Sequence, residues 1–275
     1  MSDPHVVVTG ATKGLGRAMV RRLAMEGSRV SFGARSTGEL EDLFAELIGT
    51  SNSHLWKELD VSNEDSVSLF FSQAINENGP IDAVVHCAGV YGPFGPSHLV
   101  VPGSWMDTLR INLYGTFLVT RESIAHMLPR EIGRVIVLSG GGATSPMPNI
   151  SAYAASKAGV VRLVETLAGE LKHTDIQINA VAPGLMATQM LDQLLETDRD
   201  LIGGDLYDRM LTAKENGEDS TPDAVELISF LTKHSIRGMN GRLISAKWDP
   251  WETWLDSPEV FDDADAYTLR RQVPD

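Results

Sequence analysis

A β-branched run, a glycine-rich turn and a helical pattern follow one another within the first 34 residues. Val6 to Val8 have the composition of a buried strand, and glycines follow at positions 10, 14 and 16. Apolar residues from Ala18 to Met25 recur at helical spacing, and a second strand-like run spans Arg29 to Ala34. This order predicts a β-α-β unit. Two parallel strands need such a crossover, so the chain is committed to an α/β fold.

The same alternation continues through most of the chain. Further strands are predicted at 55–59, 81–86, 134–138, 178–182 and 243–245, and helices at about 39–48, 66–75 and 152–171. Strands that are continuous apolar runs are typical of a parallel sheet covered by helices on both faces. We therefore predict one doubly wound α/β domain over residues 1–248, with a polar, loop-rich substrate segment at 185–220, and a C-terminal extension at 249–275.

Charge and composition limit the partners of this chain. The 275 residues carry 23 basic and 37 acidic side chains, a formal charge of −14 that repels nucleic acid and anionic lipid headgroups. The single cysteine, Cys87, cannot form an intrachain disulfide. We find neither a secretory signal pattern at the N-terminus nor an apolar run long enough to span a membrane. We expect a cytoplasmic protein that binds neither nucleic acid nor membranes.

The glycine turn predicts a phosphate-binding loop. Its pattern is G-x-x-x-G-x-G between a strand and a helix, where backbone amides and the helix N-terminus can meet a pyrophosphate. A triphosphate-binding P-loop is disfavoured, because Gly16-Arg17 stands where that motif requires Gly-Lys followed by Ser or Thr. The turn therefore indicates a dinucleotide.

Basic residues at the end of the second strand favour NADP(H) over NAD(H). Dinucleotide folds that select NAD carry an acid near this point, whereas an arginine suits the 2′-phosphate of NADP. Here the strand ends at Ala34-Arg35, the first acid is Glu39 in the next helix, and Lys13 in the glycine turn is a second candidate cation. NAD(H) stays open as the alternative, since both basic residues could be ordinary surface charges.

Between Val6 and Ser245 the sequence resembles the short-chain dehydrogenase/reductase family. The resemblance rests on ordered motifs, namely T-G-x-x-x-G-x-G at 9–16, Asp60-Val61, Ala88-Gly89, Asn112, Tyr153-x-x-x-Lys157, and Pro183-Gly184 with Thr188. It implies a Rossmann-type domain in a homodimer or homotetramer. It also implies a cofactor site made of Gly10, Thr12, Lys13, Gly14, Leu15, Gly16, Arg35, Asp60, Val61, Ala88, Gly89, Asn112, Tyr153, Lys157, Pro183, Gly184 and Thr188.

Two positions depart from the family pattern. The usual N-N-A-G is His86-Cys87-Ala88-Gly89 here, and neither His86 nor Cys87 has a partner at metal-ligand spacing, so we assign no metal. The family's catalytic serine stands thirteen residues before the tyrosine, which is Gly140 in this chain, while Ser139 lies one residue earlier. A shift in the Ser139-Gly-Gly-Gly loop would let Ser139 take that place, and Ser145, Ser151 or a backbone amide are the alternatives.

The resemblance implies a hydride-transfer reaction between a carbonyl and an alcohol. Tyr153 and Lys157 are four residues apart and share one helix face. Tyr153 is expected to exchange a proton with the substrate oxygen, and Lys157 to stabilise the phenolate and hold the nicotinamide ribose. Ser139 is expected to hydrogen-bond to the substrate oxygen, and Asn112 to position a water that connects Lys157 to solvent.

The substrate itself is left open by the sequence. An apolar lid of Met186, Met190, Leu194 and Leu195 is one candidate wall, although Met and Leu at helical spacing are more often core than lid. The tryptophans at 248, 251 and 254 in the acidic tail predict a packing face, with a substrate wall or a subunit contact as alternatives. Two rival functions remain, which are a sugar or polyol dehydrogenase or epimerase, and a non-catalytic NADP-binding regulatory protein.

Overall fold

The computed structural model describes residues 3–50 and 53–271, and its centre is one sheet of seven parallel strands. The strands are β1 (His5–Thr9), β2 (Arg29–Ala34), β3 (Leu55–Glu58), β4 (Ala83–His86), β5 (Ile132–Leu138), β6 (Asp175–Ala182) and β7 (Leu243–Ser245). Their order across the sheet is β3-β2-β1-β4-β5-β6-β7, which confirms the predicted doubly wound α/β domain.

Helices cover both faces of this sheet. They are α1 (Gly14–Met25), α2 (Thr37–Glu46), α3 (Glu64–Asn78), α4 (Pro102–Leu109), α5 (Gly115–Met127), α6 (Ser151–Glu170), α7 (Gln189–Glu196), α8 (Arg199–Ile202), α9 (Gly204–Glu215) and α10 (Thr221–Lys233). Val6 and Val8 of β1 belong to the core beneath α1, α2 and α10, whereas Val7 belongs to the core beneath α3, α5 and α6. Alternate side chains of one strand are thus buried on opposite faces.

A π-helical turn joins α4 to α5 at Arg110–Tyr114. Such a turn inserts an extra residue into a helix and often marks a functional position. Here it contains Asn112, which is buried.

The segment 185–220 differs from the prediction of a loop-rich region, because it holds the three helices α7, α8 and α9. Its polar residues cover the exposed helix faces, while Leu191 and Leu194 on α7 are buried three residues apart. An apolar stripe of only two leucines hardly changes the composition of the segment, so composition does not reveal the helix, although the stripe is enough to pack a short helix against the core.

The C-terminal tail packs against the edge of the sheet. Its backbone carbonyl at Tyr267 accepts a hydrogen bond of 2.7 Å from the amide of Leu243 on the edge strand β7. The buried guanidinium of Arg242 donates to four main-chain carbonyls in or beside the tail, those of Gly238, Phe261, Ala264 and Ala266. The tail therefore covers polar groups that an edge strand otherwise leaves unpaired.

The three tail tryptophans have three different environments. Trp254 is buried, as a packing face requires, and its ring meets that of Phe261 edge-on at 4.9 Å. Trp251 lies half-buried beside Phe230. Trp248 is 77% exposed, so the predicted packing face does not include it.

Candidate functional site

One large cleft opens at the carboxyl ends of the strands, with a volume of about 940 Å³. In doubly wound sheets ligands bind at this edge, where the strand order reverses between β1 and β4. The predicted catalytic residue Ser139 lines this cleft, and so does every predicted cofactor residue except Asn112. These are Gly10, Thr12, Lys13, Gly14, Leu15, Gly16, Arg35, Asp60, Val61, Ala88, Gly89, Tyr153, Lys157, Pro183, Gly184 and Thr188.

The glycine turn is as tight as its sequence predicts. A Cβ atom on Gly10 would lie 2.6 Å from the backbone nitrogen of Ala88, and one on Gly16 would lie 2.2 Å from the carbonyl oxygen of Gly10. Helix α1 begins directly behind the turn, its N-cap Lys13 makes no side-chain capping bond, and its first turn holds no acid. The amides at this helix end are therefore available to an anion such as a pyrophosphate.

The far end of the cleft carries both basic residues predicted to select NADP(H). Arg35 is exposed and forms no ion pair with any residue that the structure describes. The Nζ atom of Lys13 lies 3.3 Å from a carboxylate oxygen of Glu39, so this lysine is partly neutralised. Glu39, the first acid after β2 in the sequence, also lines the cleft.

Lys157 lies at the base of the cleft. Its ammonium donates a hydrogen bond of 2.8 Å to the carbonyl oxygen of Leu138, at the end of β5. Burial lowers the pKa of Lys157 to about 8, because the protein interior solvates the charged form poorly.

Tyr153 lies one helical turn before Lys157 on α6, and its ring centre is 5.7 Å from the lysine nitrogen. Burial raises the pKa of Tyr153 well above its ordinary value, and the neighbouring Tyr91 raises it further. In the protein alone the tyrosine is therefore protonated at neutral pH. The phenolate expected from the resemblance is not favoured by these surroundings without an additional positive charge.

Asn112 lies behind the cleft wall. Its side chain accepts a bond of 2.9 Å from the amide of Val90, and it donates bonds of 2.8 Å to the carbonyl of Val90 and 3.0 Å to the hydroxyl of Ser156. The amide group thus clamps the chain that follows β4. A Cβ atom on Gly89 would lie 3.4 Å from the Asn112 oxygen and 3.6 Å from the Lys157 ammonium, so the three residues are neighbours.

The serine-glycine loop places Ser139 and Gly140 differently toward Tyr153. The Ser139 hydroxyl is buried and has no hydrogen-bond partner among the described residues. A Cβ atom on Gly140 would lie 2.4 Å from the Tyr153 hydroxyl. The tyrosine oxygen therefore occupies space that a side chain at position 140 would need.

The two alternative serines do not line the cleft. Ser145 is exposed on the surface of the loop. The Ser151 hydroxyl is bonded to the hydroxyl of Ser97 at 2.9 Å and to the indole nitrogen of Trp105 at 3.2 Å.

His86 is buried at the end of β4, and Cys87 directly after it is half-buried and lines the cleft. Nδ1 of His86 lies 2.7 Å from the Thr9 hydroxyl, and burial lowers the pKa of His86 to about 3, so the ring is neutral. Burial raises the pKa of Cys87 to about 12, which keeps its thiol protonated. Neither side chain has the properties of a charged ligand or a reactive thiolate.

Sequence reasoning missed much of the opposite, substrate side of the cleft. Met186 and Met190 line it as predicted for a lid, whereas Leu194 is buried in the core and Leu195 lies outside the cleft. The residues missed come from the loops after β4 and β5, from α7 and α9, and from the tail, and they include Tyr91, Thr144, Met147, Gln189, Gln193, Arg209, Met210, Tyr267, Thr268 and Leu269. They belong to no motif, so only three-dimensional packing brings them together.

Comparison with known proteins decides the family. Residues 4–199 match the family described as short chain dehydrogenase. This chain belongs to the short chain dehydrogenase family. It is therefore a member of an oxidoreductase family with a Rossmann-type fold, as the ordered motifs predict. None of the helices in residues 3–50 and 53–271 is both long and apolar enough to cross a membrane.

Individual members of the family show how far the likeness extends. A cis-4-hydroxycyclohexanecarboxylate dehydrogenase of Sinomonas cyclohexanicum is 30% identical over 87% of this chain and 93% of its own length. A 3β-hydroxysteroid dehydrogenase of Eggerthella lenta is 37% identical over 66% of this chain and 70% of its own. A crystal structure of an actinorhodin polyketide ketoreductase with NADPH superposes with a TM-score of 0.78 at 26% identity, covering 88% of this chain and 95% of that one.

Proposed function

We propose that this protein is an NADP(H)-dependent oxidoreductase that interconverts a ketone and a secondary alcohol. The observation that carries the proposal is the cleft itself, which joins the open N-terminus of α1 to the Tyr153 and Lys157 pair over one continuous surface. When bound, NADP(H) supplies or accepts the hydride at the substrate carbon.

The residues that line the cofactor side fit a dinucleotide. The glycine turn and the uncapped amides of α1 suit the pyrophosphate, and Asp60 with Val61 borders the space for the adenine ring. Lys157, Gly184 and Thr188 line the same cleft, and they would hold the nicotinamide and its ribose.

In this proposal Tyr153 transfers the proton to or from the substrate oxygen. Because burial keeps the hydroxyl protonated, Tyr153 is ready to donate to a carbonyl oxygen, which favours ketone reduction. Lys157 then stabilises the phenolate that remains, from a ring distance of 5.7 Å. Ser139 is proposed to bond to the same substrate oxygen, and Asn112 to connect Lys157 to solvent through a water.

The preference for NADP(H) rests on Arg35 and Lys13. Arg35 is free to bind the 2′-phosphate, while Lys13 shares its charge with Glu39. The ketoreductase that superposes on this chain was solved with NADPH, which supports the same choice.

The substrate side favours a ketone that carries an acidic group. Arg209 on α9 lines the cleft, as do Met190 and Gln193 on the α7 side, and it forms no ion pair within the described residues. By contrast, its neighbour Asp208 binds the guanidinium of Arg199. An unpaired arginine in a chain of charge −14 is a suitable partner for a carboxylate. The dehydrogenase of Sinomonas cyclohexanicum is named for a carboxylated cyclohexanol, so 4-oxocyclohexanecarboxylate is the first ketone to test.

A titration and a turnover assay test the proposal together. Purified protein is titrated with NADPH and with NADH while cofactor fluorescence is followed, and at least tenfold tighter binding of NADPH, about 1.4 kcal/mol, is expected. Turnover is then measured with 4-oxocyclohexanecarboxylate, other ketones and a series of polyols. Tyr153→Phe should abolish reduction, whereas the exposed Tyr114→Phe should not.

Each alternative outcome has its own meaning. Tighter NADH binding would contradict the role of Arg35 and Lys13, and faster oxidation of polyols than reduction of ketones would favour the sugar or polyol enzyme. Binding of NADPH without turnover of any substrate would favour the regulatory protein. A cytoplasmic location and a homodimer or homotetramer remain predictions, and light scattering would measure the assembly.

A further inference from the structure

Position 140, beside the Tyr153 hydroxyl, lacks the serine side chain that the family pattern places there. A carbonyl oxygen gains negative charge as the hydride arrives, and a second hydrogen-bond donor besides the general acid stabilises that charge. Gly140 has no side chain to supply one, and the hydroxyl of Ser139, a residue that lines the cleft, is buried from solvent.

The ring of Tyr91 lies next to that of Tyr153. The two ring centres are 5.0 Å apart with their planes tilted by 58°, and both side chains line the cleft. The Tyr91 hydroxyl has no hydrogen-bond partner in the part of the chain that the structure describes. Burial raises the pKa of Tyr91, so this hydroxyl keeps its proton and is a donor at neutral pH.

The backbone on both sides of Tyr91 is held in place. On one side Asn112 bonds to the amide and the carbonyl of Val90. On the other side Gly92 has a φ of +80°, and a Cβ atom there would lie 2.0 Å from the Thr108 hydroxyl. The ring of Phe94 packs 6.0 Å from that of Tyr91. A donor fixed in this way loses little freedom when it binds its acceptor.

We infer that the Tyr91 hydroxyl donates a hydrogen bond to the substrate oxygen and takes over the role of the serine that position 140 lacks. During reduction, for which bound NADPH would supply the hydride to the carbonyl carbon, Tyr153 gives its proton to the substrate oxygen. Tyr91 keeps its proton throughout and stabilises the developing charge. Asn112 then has a second task as a positioning residue, because it fixes the chain that carries Tyr91. The inference rests on the proposed function, since it assumes carbonyl reduction at Tyr153.

The test compares four single variants, Tyr91→Phe, Ser139→Ala, Tyr153→Phe and the control Tyr114→Phe, with NADPH and the ketone that the wild type reduces fastest. Tyr114→Phe is matched in chemistry but lies on an exposed helical surface outside the cleft. Removal of one such donor costs roughly 10²-fold in kcat. We expect a loss of this size for Tyr91→Phe, a smaller one for Ser139→Ala, and none for Tyr114→Phe.

Two further readouts separate a catalytic role from a structural one. With NADPH deuterated at the transferred position, the kinetic isotope effect on kcat should rise in Tyr91→Phe, because hydride transfer becomes slower relative to product release. NADPH affinity and Tm should stay as in the wild type. A kcat within threefold of wild type, or a loss confined to KM, would overturn the inference.

The same set distinguishes failure of the inference from failure of the proposed function. If Tyr153→Phe is inactive and Tyr91→Phe is fully active, carbonyl reduction stands and the role of Tyr91 is wrong. If Tyr153→Phe reduces the ketone at the wild-type rate, the proposed function is wrong, and the role of Tyr91, which depends on it, is wrong as well.

Discussion

The two halves of the cleft are built in different ways. The cofactor half consists of short turns at the ends of strands, and glycine backbone forms part of its surface, as in the glycine turn after β1. The substrate half consists of side chains from the loops after β4 and β5, from α7 and α9, and from the tail, so its residues are spread from 91 to 269.

Because of this difference, we expect one half to determine cofactor binding and the other to determine the choice of substrate. A backbone surface binds the parts that dinucleotide cofactors share, so a change there should affect every substrate equally. A side-chain surface is altered by single substitutions, so a change there should affect one substrate more than another. Substitutions in each half test this separation, and Lys157 lies where the two halves meet.

Lys157→Met should abolish turnover and yet stabilise the protein. Its pKa is 10.5 in the unfolded chain and about 8 in the folded one, a difference of roughly 3 kcal/mol at pH 7 that opposes folding. The unfolded chain binds the extra proton between these values, so wild-type stability should rise as pH increases from about 8 to 10.5. Methionine removes the charge, and Tm at pH 7 should increase while kcat falls at least 10²-fold.

The exposed lysine Lys172 supplies the control for this prediction. Lys172→Met should leave both kcat and Tm close to wild type. The stability gain of Lys157→Met should shrink above pH 8. A Tm below wild type at pH 7 would mean that the hydrogen bond from Lys157 to the Leu138 carbonyl outweighs the cost of burying the charge.

Gly140→Ser should reduce turnover although it restores the family's usual residue. The backbone at Gly140 is extended, with φ of 179°, so a side chain causes no backbone strain. The new Cβ atom would lie 2.4 Å from the Tyr153 hydroxyl, however, and must displace it. A displacement of about 1 Å can cost 10²-fold in rate, so we expect a loss of 10- to 10²-fold in kcat.

Gly141→Ser is the matched control, because a Cβ atom there meets no atom within 4 Å. It should retain wild-type kcat. Faster turnover in Gly140→Ser would show that Tyr153 moves aside readily, and it would argue that Tyr91 does not replace the serine.

The sequence identifies most residues on one side of the cleft because they lie in local motifs. The strand, the glycine turn and α1 are continuous in sequence, and so are Tyr153 and Lys157 on one helix face. The substrate half depends on long-range packing instead. Arg209 and Trp248 reach the cleft only because α9 and the tail fold back over it, and no local pattern encodes that path. For the same reason the helices of 185–220 were missed, since their apolar stripes are short.

Arg35→Gln should change the choice of cofactor without changing the choice of substrate. Loss of one charge-assisted contact to the 2′-phosphate should weaken NADPH binding about tenfold and leave NADH binding unchanged. Glu39→Gln should have the opposite effect, a severalfold gain for NADPH, because it releases Lys13 from its ion pair. Fluorescence titration measures both, with the exposed Lys57→Gln as the control. Equal losses for NADPH and NADH in Arg35→Gln would mean that this arginine does not distinguish them.

Trp248→Ala should have the smallest effect and act on the substrate alone. The indole is 77% exposed at the edge of the cleft, with the Lys247 ammonium 4.9 Å from its ring centre. Because little of this side chain is buried, Tm should hardly change, whereas KM for the ketone should rise severalfold at constant kcat. Leu255→Ala, in an exposed part of the tail outside the cleft, should change neither value. A change in NADPH affinity in Trp248→Ala would show that the tail also serves the cofactor, and the separation between the two halves would then be wrong.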